Sequence, residues 1–201
     1  MYCILVTGIP AAGKSTMAGR LAERFGLPVI SKDRIKELLY DDLGFKSRDE
    51  KVKLGIASMN IMYYTAAQLM KNNQPFILEN NFEKISKEPL MEILERYAYT
   101  AITVTLTGNY SQIYKRFAER NNSPDRHRGH IVNDVYPEKN PNRTVKSVSY
   151  EEFVNGITER GMDSFTANGP RIVVDTTDFS KVQIETLINQ ITDYREKILN
   201  G

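Results

Sequence analysis

The sequence predicts a three-layer α/β/α fold, in which helices cover both faces of a parallel sheet. Short apolar runs alternate along the chain with longer segments whose apolar residues recur at helical spacing. The strand-like runs are apolar throughout, as is typical of parallel strands that are buried on both faces. The 201 residues are 41% hydrophobic and 26% charged, which is the composition of a globular chain. We therefore expect a single domain over residues 1–201.

Five segments have the composition of buried strands. They cover residues 2–7, 28–31, 75–79, 101–106 and 171–175. Apolar residues spaced three and four apart predict helices between them. These helices cover 14–25, a segment that begins at Asp33, 50–72, 85–97, a segment around 113–117, and 184–198. Residues 121–147 have no periodicity and are rich in Asn, Pro, Arg and His, so we expect a small basic lid or insert at about 115–148.

The loop after the first strand matches the pattern G-x-x-x-x-G-K-[ST]. Its residues and the one that follows are Gly8, Ile9, Pro10, Ala11, Ala12, Gly13, Lys14, Ser15 and Thr16. The two glycines allow the main chain to approach a polyphosphate, and the loop N–H groups meet the positive end of a helix. Lys14 can reach the β- and γ-phosphates, and the Ser15 hydroxyl can ligate Mg²⁺. An accidental glycine-rich turn would lack the order of strand, loop and helix, so the sequence predicts binding of a nucleoside triphosphate with Mg²⁺.

Polar residues follow the second and third strands, at the sheet edge where ligands of such folds bind. Asp33 lies two residues beyond the second strand, where an Asp can serve as a helix-terminal acid, as a catalytic carboxylate, or as both. Glu79, Asn80 and Asn81 follow the third strand. They favour contact with Mg²⁺ through water or with a substrate, although a simple turn is the alternative.

Basic residues are concentrated after the fourth strand. Arg116 and Arg120 are four residues apart and share one helical face. The loop beyond them contains Arg126, His127, Arg128 and His130. A solvated helix face is the alternative, but a cationic strip beside a phosphate site would neutralise charge on a transferring phosphoryl group. The two histidines have no third histidine or cysteine partner for zinc, so phosphate, substrate or lid contacts are favoured.

The overall composition limits the kinds of partner and cellular location to be expected for the chain. A net charge of +2 does not by itself indicate nucleic acid or an anionic membrane. Cys3 is the one cysteine, so no disulfide can form within the chain. No stretch approaches the ~20 apolar residues of a membrane span, and residue 1 leads directly into a strand without a signal-peptide pattern. We expect a cytoplasmic monomer or homodimer.

The sequence resembles the small P-loop kinases of the nucleoside-monophosphate-kinase-like type, often grouped as AAA-type ATP-binding proteins. Polynucleotide 5′-hydroxyl kinase domains, chloramphenicol phosphotransferase and zeta-toxin-like kinases are closest in pattern. The resemblance is carried by residues 8–16, by Ser31-Lys32-Asp33, and by Arg116 and Arg120. It implies a P-loop NTPase fold with a five-stranded parallel sheet in the order 2-3-1-4-5. It also implies that Asp33 is the general base and that the two arginines belong to a lid.

These observations predict an ATP-dependent kinase that acts on a hydroxyl of a small molecule, with catalytic roles for Lys14, Asp33, Arg116 and Arg120. The residues expected to bind substrate are Arg34, Lys36, Glu79, Asn80, Arg126 and Arg128. Lys36 stands where some members of the group have an arginine. Residues 34–72 and 80–85 are expected to form the acceptor pocket, and residues 175–177 to border the adenine. A polynucleotide 5′-hydroxyl kinase and a non-kinase ATPase or switch remain alternatives, and the motif does not distinguish ATP from GTP.

Overall fold

The computed structural model of the protein describes residues 1–140 and 143–200. Within these residues, five strands form one parallel sheet in the order β2-β3-β1-β4-β5. The strands are β1 (Tyr2–Gly8), β2 (Val29–Ser31), β3 (Ile77–Glu79), β4 (Thr100–Thr107) and β5 (Arg171–Asp175). The predicted fold class and strand order are therefore confirmed.

Helices connect the strands and continue beyond the last one. They are α1 (Lys14–Phe25), α2 (Lys32–Leu43), α3 (Arg48–Lys71), α4 (Lys84–Arg96), α5 (Tyr110–Asn122), α6 (Arg128–Ile131), α7 (Tyr150–Arg160) and α8 (Ile184–Asn200). A 3₁₀ turn at Phe179–Lys181 precedes α8. None of the helices in the described residues is both long and apolar enough to cross a bilayer.

Two of these helices, α6 and α7, were not expected from periodicity. Helix α7 begins with a capping box, in which the Ser149 hydroxyl accepts from the Glu152 N–H and the Glu152 carboxylate accepts from the Ser149 N–H. Its Phe153 and Ile157 are buried four residues apart. Helix α6 is a single turn inside the segment expected to be irregular. Residues 141 and 142, which belong to the predicted lid, lie outside the described residues.

Helices cover both faces of the sheet, as predicted. Helices α1, α5, α7 and α8 pack on one face through buried residues such as Met17, Ile113 and Ile188. Helices α3 and α4 pack on the other face through residues such as Met62 and Leu94. All seven residues of β1 are buried because this strand lies at the centre of the sheet.

A third, smaller cluster joins α2 and α3 to residues 127–138, which we call the anchored segment. Tyr40, Phe45 and Val132 are its buried members. The backbones of Phe45 and Tyr136 exchange two hydrogen bonds of 2.8 Å. The buried Lys51 ammonium on α3 donates to the carbonyls of His130 and Val132 and to the Asn133 side chain. Much of the predicted insert is therefore fixed to the α2–α3 pair.

Candidate active site

The loop between β1 and α1 takes a conformation that its glycines make possible. Gly8 and Gly13 have φ angles of +123° and +89°, which side chains strongly disfavour. A Cβ at Gly8 would lie 1.9 Å from the Leu106 carbonyl oxygen of the adjacent strand. Helix α1 then begins at Lys14, so its first N–H groups and the loop amides lie together at a helix N-terminus. This arrangement suits a polyphosphate.

Lys14 lies in the floor of this loop. Its side chain is buried, and Nζ donates to the Ile9 carbonyl oxygen at 2.9 Å. Burial lowers the pKa of Lys14 to about 8, although the Glu79 and Asp33 carboxylates act in the opposite direction. The ammonium is therefore held at a point where a bound anion would strongly favour its charged form.

Glu79 ends β3 and lies beside the loop. It is 4% exposed, and the strand register places it level with Val6 of β1 and Ser31 of β2. Its carboxylate accepts from the Ser15 hydroxyl at 3.4 Å and from the Ser31 hydroxyl. Burial raises the pKa of Glu79, while Lys14 opposes that shift. Ser15 and Glu79 thus bring together the hard oxygen donors that Mg²⁺ prefers.

Asp33 lies in the first turn of α2, and Ser31 is the residue that caps this helix. The Ser31 hydroxyl accepts from the Arg34 N–H at 3.5 Å. Burial acts to raise the pKa of Asp33, but the interactions with His130 and then with the ammonium groups of Lys36, Lys32 and Lys14 outweigh burial, so the pKa is lowered. The carboxylate is therefore ionised at neutral pH.

The loop, Glu79 and Asp33 line one cavity of about 1030 Å³ at the carboxyl edge of the sheet. The structure brings most of the predicted site residues into its lining. They are Pro10, Ala11, Gly13, Lys14, Ser15, Thr16, Asp33, Arg34, Lys36, Glu79, Asn80, Arg116, Arg120 and Arg126. The lining also includes His130, for which phosphate, substrate or lid contacts were expected, and Glu37 and Arg160, which had no assigned role from the sequence. Arg160 belongs to α7, and its position could be predicted only after recognising the capping box at Ser149.

Arg116 and Arg120 approach the cavity from α5, one turn apart. Arg116 donates to the Thr176 carbonyl oxygen at 2.6 Å, which links α5 to the loop after β5. Arg120 is exposed overall, yet its guanidinium is desolvated where it faces Arg126. Desolvation, and then the charge of Arg126, lower the pKa of Arg120 to about 10. Two cations thus face the phosphate loop from one helix.

Arg126 and His130 border the side of the cavity formed by α2. The Arg126 Nε is buried and has no hydrogen-bond partner among residues 1–140 and 143–200. His130 Nε2 lies 3.0 Å from a Glu37 carboxylate oxygen. Burial lowers the pKa of His130 to about 3, so this imidazole is neutral at physiological pH and the local positive charge comes from arginine and lysine.

Arg128 is placed differently from the substrate-binding role expected for it. It does not belong to the cavity lining within the described chain. Its guanidinium binds both carboxylate oxygens of Glu138, at 2.8 and 2.9 Å, and Arg143 joins the same carboxylate at 2.7 Å. His127 also points elsewhere, with Nε2 3.0 Å from Asp41. These residues hold the anchored segment together, and sequence alone could not separate them from Arg126.

Solved structures with the same architecture include several kinases. A proposed kinase from Chloroflexus aurantiacus j-10-fl is 24% identical, with a TM-score of 0.78 over 96% of this chain and 97% of that one. A shikimate kinase from Bacteroides thetaiotaomicron is 16% identical, with a TM-score of 0.54 over 98% of both chains. A gluconokinase from Sinorhizobium meliloti 1021 is 14% identical, with a TM-score of 0.52 over 99% and 97%. At these identities the likeness establishes the fold alone, which is the five-stranded parallel sheet with helices on both faces that these kinases share.

The AAA domain family model matches residues 4–144, and the chain belongs to this family. The match runs from β1 through the phosphate loop and Asp33 to the anchored segment. A search of curated proteins finds no match to the chain. The predicted membership among AAA-type nucleotide-binding proteins is confirmed at this level.

Proposed function

We propose that the protein is an ATP-dependent kinase that transfers the γ-phosphoryl group to a hydroxyl of a small molecule. The observation that carries the proposal is the shared cavity, in which the phosphate loop faces Asp33 across a lining rich in arginine and lysine. The kinase fold of the structural neighbours is consistent with it. We also propose that the protein belongs with the narrower group of polynucleotide kinase domains, chloramphenicol phosphotransferase and zeta-toxin-like kinases.

On the nucleotide side, the loop amides and Lys14 bind the triphosphate, and Arg116 and Arg120 neutralise charge on the group in transfer. Ser15 and Glu79 would hold Mg²⁺, because their oxygens lie together and one of them is a buried carboxylate. The metal, when bound, supplies neutralisation of the phosphate charge. Residues 175–177 border the adenine in this proposal.

On the acceptor side, Asp33 accepts a hydrogen bond from the hydroxyl and takes its proton. The acceptor oxygen forms a bond to the γ-phosphorus as the bond from that phosphorus to the β–γ bridging oxygen breaks. The products are a phosphate ester and ADP, and the proton on Asp33 returns to solvent. The lowered pKa of Asp33 keeps the carboxylate ionised before transfer, and positioning supplies most of the rate.

The substitution Asp33→Asn tests this mechanism. It keeps the size of the side chain and removes the proton acceptor, so we expect phosphoryl transfer to fall by about 10²-fold or more with ATP affinity nearly unchanged. Transfer of ³²P from labelled ATP to a panel of nucleosides, sugars, antibiotics and oligonucleotides measures the first quantity, and calorimetry with ATP and Mg²⁺ measures the second. Full transfer activity in the variant would remove Asp33 from the mechanism.

The same panel separates the two alternatives. A polynucleotide kinase would label the 5′ end of an oligonucleotide. However, Arg128 and Arg143 pair with the carboxylates of Glu138 and Asp134, which lowers the net positive charge of the surface that nucleic acid would need. A non-kinase ATPase would hydrolyse ATP at full speed without any acceptor. Absence of binding for both ATP and GTP in calorimetry with Mg²⁺ would exclude all three functions.

A further inference from the structure

We infer that the acceptor carries an anionic group, a phosphate or a carboxylate, which binds between Lys36 and Arg126 beside Asp33. The acceptor is the one of the proposed kinase reaction, so this inference rests on the proposed function. The anion site lies on the α2 side of the cavity and is separate from the phosphate loop.

Several cations of the cavity already have a partner. Arg34 pairs with Glu37 at 2.7 Å, and Arg160 pairs with Glu83 at 3.1 Å. Arg116 belongs to α5, where the proposed function assigns it to the phosphoryl group in transfer. The two paired arginines are therefore poor candidates for binding a further anion, and they reduce the set of cations that a substrate could engage.

Lys32, Lys36 and Arg126 are the cations of the cavity lining that this sorting leaves on the α2 side, and the last two of them carry the inference. The buried Nε of Arg126 has no hydrogen-bond partner within the described part of the chain. The Lys36 ammonium lies 5.4 Å from the centre of the Tyr40 ring, and burial lowers its pKa to about 8. Both side chains line the same cavity as Asp33, whose carboxylate is proposed to receive the acceptor hydroxyl, and the Asp33 charge acts on the pKa of each.

A neutral acceptor would leave the buried Nε–H of Arg126 without a hydrogen-bond partner among the described residues. A buried guanidinium N–H that loses water and gains no acceptor atom is costly, and a site built for a polar group discriminates strongly against ligands that lack it. An arginine fork with a neighbouring ammonium matches the planar or tetrahedral oxygens of a carboxylate or a phosphate. One anionic group on the acceptor therefore satisfies Arg126 and Lys36 and leaves the hydroxyl free to reach Asp33.

Binding of inorganic phosphate tests the site without any turnover. The protein is first saturated with Mg²⁺ and a non-hydrolysable ATP analogue, which occupies the phosphate loop and the γ-phosphate position. Inorganic phosphate is then titrated by calorimetry, and acetate is titrated in a parallel arm to distinguish phosphate from carboxylate. We expect one saturable site, weakened roughly tenfold or more by Arg126→Met and by Lys36→Met.

The matched control is Arg24→Met, which removes an exposed arginine from the distal end of α1 and should leave phosphate binding unchanged. Arg126→Lys keeps the charge and should retain part of the affinity even if Arg126→Met folds poorly. Equal weakening in Arg24→Met, or no saturable binding in the wild-type protein, would overturn the inference.

A kinetic arm uses matched acceptors: glycerol with glycerol 3-phosphate and glycerate, and adenosine with AMP. We expect transfer to the anionic members, with a higher acceptor KM in Arg126→Met and an unchanged KM for ATP. Preferential transfer to neutral parents would overturn the anion site and leave the kinase proposal intact. Anion binding that depends on Arg126, without transfer to any compound, would support the site and overturn the kinase proposal alone.

Discussion

Lys14 is a buried ammonium beside a buried carboxylate, and its properties follow from that position. Desolvation disfavours the charged form, and Glu79 restores only part of that cost. Nζ donates one of its three N–H groups to the Ile9 carbonyl oxygen of its own loop. Lys14, which the proposed function places on the triphosphate, is therefore one of the buried lysines that lose their charge as the pH rises through a lowered pKa.

The affinity for ATP should consequently depend on pH. Lys14 is charged below its pKa of about 8, so its attraction for the triphosphate is complete there and is lost as the pH rises through that value. We expect the Kd for a fluorescent ATP analogue with Mg²⁺ to rise by up to about tenfold per pH unit above 8. Lys36, whose pKa is also lowered to about 8, provides the control, because Lys36→Met should keep the same dependence. A constant Kd from pH 7 to 9.5 would contradict the assignment to Lys14.

The residues of the site differ in how far sequence could identify them. The phosphate loop has a fixed spacing with a chemical reason at each position. Asp33 follows a strand and Glu79 ends one, so their place at one sheet edge could be predicted. Arg126 and Arg128 have the same chemistry and stand two residues apart. Only the fold shows that Glu138 binds Arg128 while Arg126 faces the cavity.

At the scale of elements, strand–helix alternation was enough to predict the layers, because buried parallel strands are apolar at every position. Apolar spacing alone did not predict helix α7. The start of this helix is encoded instead by the capping box of Ser149 and Glu152. The four-residue α6 could not have been predicted, because its position depends on packing of Gly129 against Tyr40.

Gly129→Ala tests that packing. A Cβ at this position would lie 2.3 Å from Tyr40 Cδ2, and the Tyr40 ring is fully buried, so neither side can move freely. We expect the free energy of unfolding to fall by about 1–3 kcal/mol, measured by urea denaturation.

The matched change is Gly156→Ala in α7, where a Cβ would meet only Arg160 Nη2 at 3.9 Å. It should stabilise the protein by up to about 1 kcal/mol, since alanine is the better helix former. Similar effects of the two substitutions would show that α6 is not held by Tyr40.

At the scale of the whole molecule, buried lysines make stability depend on pH. Lys14 and Lys36 have pKa values lowered to about 8, and Lys51 to about 7, chiefly by burial. Between pH 7 and 9 the unfolded chain keeps protons on these lysines that the folded chain has released, so stability rises with pH in this window. Above pH 9 the buried Cys3 thiol, whose pKa is raised to about 12 by burial, acts in the opposite direction.

We therefore expect the urea midpoint to increase from pH 7 to pH 9, with an unchanged slope of the free energy against urea concentration. Lys51→Met should make this increase smaller, because one of the three titrating lysines is removed. A midpoint that falls steadily over the same interval would contradict the lowered lysine pKa values.

The ammonium of Lys51 also has a consequence for Arg126. It ties the carbonyls of His130 and Val132 to α3, and Phe45 is bridged to Tyr136, so the anchored segment forms one packed unit with α2 and α3. Arg126 is the residue immediately before this unit, so the backbone on one side of its guanidinium is fixed and the side chain reaches the cavity from a defined point.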